Sequence, residues 1–160
     1  MKHFCTILCV SVLLLSFGGC QPSKRPKGLP PLYPCTITVT QSGTPIADVS
    51  VQFIAKEESM WPVTGMTDAA GKAVMVTYGQ FNGAPLGEYT VVVSKKETVD
   101  EGKRDDDQSG ITKVFSLIAL EHTQPDTSKL QITVQKSSNT ETFDVGEPVR
   151  ILIDTVRPGT

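Results

Sequence analysis

From Cys35 onward the chain alternates. Cys35, Ile37 and Val39 take turns with Thr36, Thr38 and Thr40. Successive side chains of an extended strand point to opposite faces, so this period fits a half-buried strand of β-branched residues and no helix. Val49, Val51, Phe53 and Ala55 repeat the pattern around Ser50 and Gln52, and Tyr89, Val91 and Val93 repeat it again. Further strands are expected at Ala73–Tyr78, Thr112–Leu120, Leu130–Val134, Thr140–Val145 and Val149–Ile153. Turn residues separate them: Ser42-Gly43, Asp68-Ala69-Ala70-Gly71 and Pro85-Leu86-Gly87. Seven or eight short strands with no convincing helical stretch predict an all-β fold, a β-sandwich of about seven strands with Greek-key connections, over residues 35–154. Residues 155–160 read as a C-terminal tail. A segment of this size buries a single core.

The first twenty residues have a different character. After Lys2 and His3, the run Phe4–Phe17 is apolar except for Thr6, Ser11 and Ser16. Fourteen residues are too few to span a bilayer as a helix, which takes about 20, but they match the apolar region of a signal peptide. Gly18, Gly19 and Cys20 follow. The stretch Phe17-Gly18-Gly19-Cys20 resembles the lipobox of a bacterial lipoprotein. That resemblance implies that residues 1–19 are removed and that Cys20 becomes the first residue of the mature chain, carrying lipid, palmitate included. The other reading is an ordinary secretory signal in which Cys20 stands by chance. Either way the protein is expected to be exported; with lipid on Cys20 it is anchored to a bacterial membrane, facing the periplasm or on the cell surface.

Removing residues 1–19 leaves 141 of the 160 residues and, with Lys2 gone, takes the net charge from −2 to −3. A weakly acidic chain of this kind has no footprint for nucleic acid, which is bound through clustered Lys and Arg. Cys5, Cys9 and His3 also go, so Cys20 and Cys35 are the only cysteines left and His122 the only histidine.

Residues 20–34 hold the lipidated cysteine and a proline-rich tether, QPSKRPKGLPPLYP, with five prolines and the cations Lys24, Arg25 and Lys27. Proline density favours an extended spacer between membrane and domain. The cations either stay solvated or touch anionic headgroups, each contributing roughly 1 kcal/mol when near the surface. Cys35, left without a partner, is expected to be buried as a small hydrophobe beside Ile37 and Val39, the alternative being pairing between molecules.

Thr67-Asp68-Ala69-Ala70-Gly71-Lys72-Ala73, then Pro85-Leu86-Gly87-Glu88-Tyr89 and an alternating apolar strand, resemble the carboxypeptidase regulatory-like, or transthyretin-like, domain. Gly43-Thr44-Pro45-Ile46 is similar to the opening hairpin of that family. The likeness extends over about residues 35–146 and implies an immunoglobulin-like or transthyretin-like sandwich with no peptidase activity of its own. The motif residues have folding reasons. Asp68 can bond the backbone two residues on, Gly71 can take positive φ, Pro85 presets a turn, and Tyr89 brings a large side chain to the core or rim.

Enzymes on related folds need more than this chain offers. The transthyretin-like hydroxyisourate hydrolases use two histidines, an arginine and a C-terminal Tyr-Arg-Gly-Ser-type tail, and intradiol dioxygenases use two His and two Tyr on iron. With His122 alone, neither set is complete, and a Cys/His zinc site is short of ligands as well. His122 reads as a space-filling ring, or else as a lone general base of a hydrolase. Glu97–Asp107 is rich in carboxylates and reads as a solvated loop. Asp105-Asp106-Asp107 lacks the spaced pattern of a strong calcium loop. Trp61, the only tryptophan, falls between two strands. It is either a rim residue over the core or an exposed ring that stacks on a sugar or a partner side chain. The expectation is a non-catalytic envelope module without cofactor or metal, held to the membrane through acylated Cys20. Its partner is an unidentified envelope protein, or a carbohydrate or peptide bound by the Trp61 loop or a strand edge.

Overall fold

A computed structural model describes residues 25–57, 59–101 and 111–156. Nine strands of four or more residues occur among them: β1 (Cys35–Gln41), β2 (Ser50–Ala55), β3 (Val63–Met66), β4 (Gly87–Ser94), β5 (Lys96–Glu101), β6 (Ile111–Ser116), β7 (Gln131–Val134), β8 (Asn139–Asp144) and β9 (Ile151–Val156). Shorter paired segments fill the turns, and the one helical turn described is a 3-10 turn at Leu120–His122. The chain is an all-β sandwich, as the alternation requires.

One sheet runs β7–β4–β2–β3 and continues through Val76–Thr77 to Phe81–Asn82, all antiparallel. The facing sheet is centred on β1, which pairs in parallel with β8 and antiparallel with Lys72–Val74 and Thr44–Pro45. The inner faces share one core. β1 contributes Cys35, Ile37 and Val39; β2 contributes Val51 and Phe53; β4 contributes Tyr89, Val91 and Val93, with Ile132 and Phe143 from β7 and β8. Ile37, Val39, Val51, Val91 and Val93 have no exposed surface. At about 25 cal/mol per Å² of apolar area removed from water, this layer is the main favourable contribution to folding.

Two elements differ from simple alternation. Ala73–Tyr78, expected as one strand, splits at Met75: Lys72–Val74 joins β1, whereas Val76–Thr77 joins β3. The buried Met75 marks the step from one sheet to the other. β3 carries no alternation signal because it contains Gly65. A Cβ there would lie 2.8 Å from Met75 Sδ, so glycine permits close approach of the crossing segment.

Three expected boundaries are corrected. The proline-rich tether does not extend freely to residue 34: Leu29 is buried, Leu32–Tyr33 pairs with Ala84–Pro85, and Tyr33 packs on the core. Proline masks this docking, since it erases periodicity without preventing an edge contact. At the other end the chain stays in a strand through Val156, paired with Thr112, so the tail does not begin at residue 155.

The third correction concerns Glu97–Glu101, which is strand β5 rather than loop. It follows β4 after an interruption at Lys95 and forms a three-stranded sheet, β5–β6–β9. Its charges are balanced from distant positions. Arg150 Nε lies 2.7 Å from the Glu97 carboxylate and stacks over Phe115, Thr112 Oγ1 donates to Asp100, and Lys113 pairs with Glu101. Asp105–Asp107 lie outside the described residues.

Candidate functional site

β2 ends at Ala55 and β3 begins at Val63, and the connection carries Trp61 to the rim of the sandwich. The indole is half-buried and meets the Tyr78 ring edge-on, with centroids 6.0 Å apart and planes at 75°. Tyr78 is held beneath it by its own N–H, which donates to the Pro62 carbonyl at 2.8 Å. Gly28, at the end of the tether, comes up against the indole: a Cβ placed there would stand 4.0 Å from Trp61 Cζ2.

Beside Trp61 lies a hollow of about 410 Å³, lined among others by Pro30, Lys56, Leu86, Glu88 and Tyr89. Its far wall is the Pro85–Tyr89 corner. The Tyr89 hydroxyl donates to the Pro85 carbonyl at 2.9 Å, and burial, with the nearby Cys35, pushes the phenol pKa above its usual value. On the rim, Lys56 Nζ sits 2.8 Å from the Glu88 carboxylate and 3.4 Å from Gln131 Oε1. The Lys56 hydrogen bond and charge hold the Glu88 carboxyl below the ordinary range. The site therefore combines an indole, two proline rings and a leucine with one fixed ion pair. That composition, with Glu57 and Ser59 also on the wall, suits an amphipathic contact.

The structure matches no protein-family model, no curated protein and no solved structure.

His122 does not line this hollow. It sits on the 3-10 turn with Nε2 3.6 Å from Glu121, while its buried Nδ1 has no hydrogen-bond partner. Among the described residues, no three His, Cys, Asp or Glu side chains converge to hold a metal, and no helix is long and apolar enough to cross a membrane. Cys35 is 2% exposed, and burial raises its thiol to about 11. Cys20 lies outside the described residues.

Of the residues around the hollow, only Trp61 is legible in advance as a contact residue. Tyr89 is legible as a folding residue. Leu86, Lys56 and Pro30 gain their role from tertiary proximity. One available signal was Leu86, an apolar residue between the turn formers Pro85 and Gly87, where a side chain has little core to enter.

Proposed function

We propose that the protein is an exported bacterial lipoprotein, anchored by lipid on Cys20, whose transthyretin-like sandwich is a non-catalytic contact module of the cell envelope. Its contact surface is the hollow beside Trp61. The observation that carries this reading is the convergence of tether and hollow: Gly28 abuts the indole and Pro30 lines the wall. The anchor therefore delivers the contact surface with it. The family likeness draws support from the Asp68–Gly71 turn and the Pro85–Tyr89 corner, each built from the residues that carry the resemblance.

The anchor is tested by mass spectrometry of the mature protein, with Cys20 expected at the N-terminus bearing acyl chains. Cys20→Ser is expected to move the protein to the soluble fraction or block processing. A freely soluble wild-type chain with an unmodified Cys20 overturns the proposal. A second reading, carbohydrate or peptide binding, is favoured by the indole at the edge of a hollow of this size. Glycan or peptide binding lost in Trp61→Ala would select it.

A further inference from the structure

We infer that the Trp61 face lies against the lipid surface itself, with Met60, Trp61, Tyr78 and Leu86 entering the interfacial layer. The inference deepens the contact surface proposed above and rests on the lipid at Cys20. Its first support is reach. The fold holds the chain from Leu29 onward, and Arg25 already donates to the Pro30 carbonyl at 2.6 Å. Nine residue-to-residue steps separate Cys20 from Leu29, which at full extension span roughly 30 Å. The tether enters the fold at Leu29, beside Gly28 at the indole and Pro30 in the hollow, so a tether of that length holds the Trp61 face nearest the bilayer.

The second support is side-chain chemistry. Met60 is 78% exposed, Tyr78 52% and Leu86 44%, gathered around the half-buried Trp61. Trp and Tyr favour the membrane–water boundary, where an amphipathic ring is apolar at one end and wet at the other. The free charge at the tether root comes from Arg25 and Lys27, since Lys56 is paired with Glu88 and Glu57 lines the same hollow. Anionic lipid attracts the two tether cations.

The test uses the full mature lipoprotein, its lipid verified by mass, reconstituted into vesicles of phosphatidylethanolamine with phosphatidylglycerol. Trp61, the sole tryptophan, is the reporter. The expected result is blue-shifted emission, quenching by phospholipid brominated near the headgroup, and protection from iodide. Lys27→Gln should lower the docked-to-free ratio about fivefold, the effect of one basic charge at the surface. Met60→Ser with Leu86→Ser should restore iodide access without changing the unfolding temperature. Lipid-bearing protein whose indole stays open to iodide and is untouched by brominated lipid overturns the inference while leaving the anchor standing. So does a soluble glycan or peptide that protects Trp61 equally in the absence of vesicles. An unmodified Cys20 removes the anchor and this inference with it.

Discussion

The Tyr89 hydroxyl reaches back four residues to the Pro85 carbonyl, closing a corner at the start of β4. Tyr89 is 3% exposed and its ring packs 5.3 Å from that of Phe53, so one side chain serves both core and corner. The bond explains the Pro-x-Gly-x-Tyr spacing: proline fixes the turn, its free carbonyl accepts, and the ring enters the core between them. Tyr89→Phe keeps the ring and orphans a buried carbonyl. It should cost about 1–3 kcal/mol in urea unfolding, the scale for an unsatisfied buried group. Unchanged stability would mean that water satisfies Pro85.

Gly71 closes the turn that Asp68 begins. Asp68 Oδ1 accepts from the Ala70 and Lys72 N–H groups, and Gly71 sits at φ +71°. A Cβ there would lie 2.7 Å from the Val39 carbonyl oxygen, backbone that β1 holds in place. Gly71→Val is therefore expected to lose at least about 1–3 kcal/mol, the scale for a strained position. A melting temperature equal to wild type would refute this assignment.

His122→Phe should be neutral or mildly stabilising. The substitution removes a buried Nδ1 that has no partner and keeps a ring of similar volume. Thermal unfolding checks the first point. If the variant folds normally yet abolishes hydrolysis of any substrate the wild type cleaves, the non-catalytic proposal fails.

Asp144 ties the end of β8 to the turn after β1. Its carboxylate accepts from the Gly43 N–H at 2.7 Å, Thr40 Oγ1 at 2.8 Å and the Gly146 N–H at 2.9 Å. The Gly43 bond first, then those from Thr40 and Gly146, lowers its pKa from 3.8. A lowered folded-state pKa means that this stabilisation is complete above 3.8 and disappears as pH falls through the folded value. Unfolding measured from about pH 5 down to about pH 2 should be flatter in Asp144→Asn than in wild type. Parallel curves would show that the clamp contributes nothing.

Cys35 should be inert in the native protein. Burial holds the thiol protonated up to about 11, against 9.0 when exposed. Alkylation at neutral pH should proceed only after denaturant unfolds the domain, as read by mass. The sign for stability is the reverse of Asp144: the contribution is complete below pH 9.0 and lost as pH rises toward the folded value. Rapid native labelling would place Cys35 at the surface.

The amino-acid order by itself determined the all-β class, the inward faces of β1, β2 and β4, and the Asp68–Gly71 turn. Each depends on interactions within a few residues: side-chain alternation, an Asx bond, a positive φ. Tertiary structure alone decided the rest. It put β8 parallel to β1 across about a hundred residues of chain, and it made a strand of Glu97–Glu101 because Lys113 and Arg150 arrive to balance it. It also docked Leu29–Tyr33 on the sandwich and thereby brought the tether to Trp61. Local sequence carries no record of which distant strand supplies a partner, and a hollow made by three separate segments exists only once the packing has brought them together.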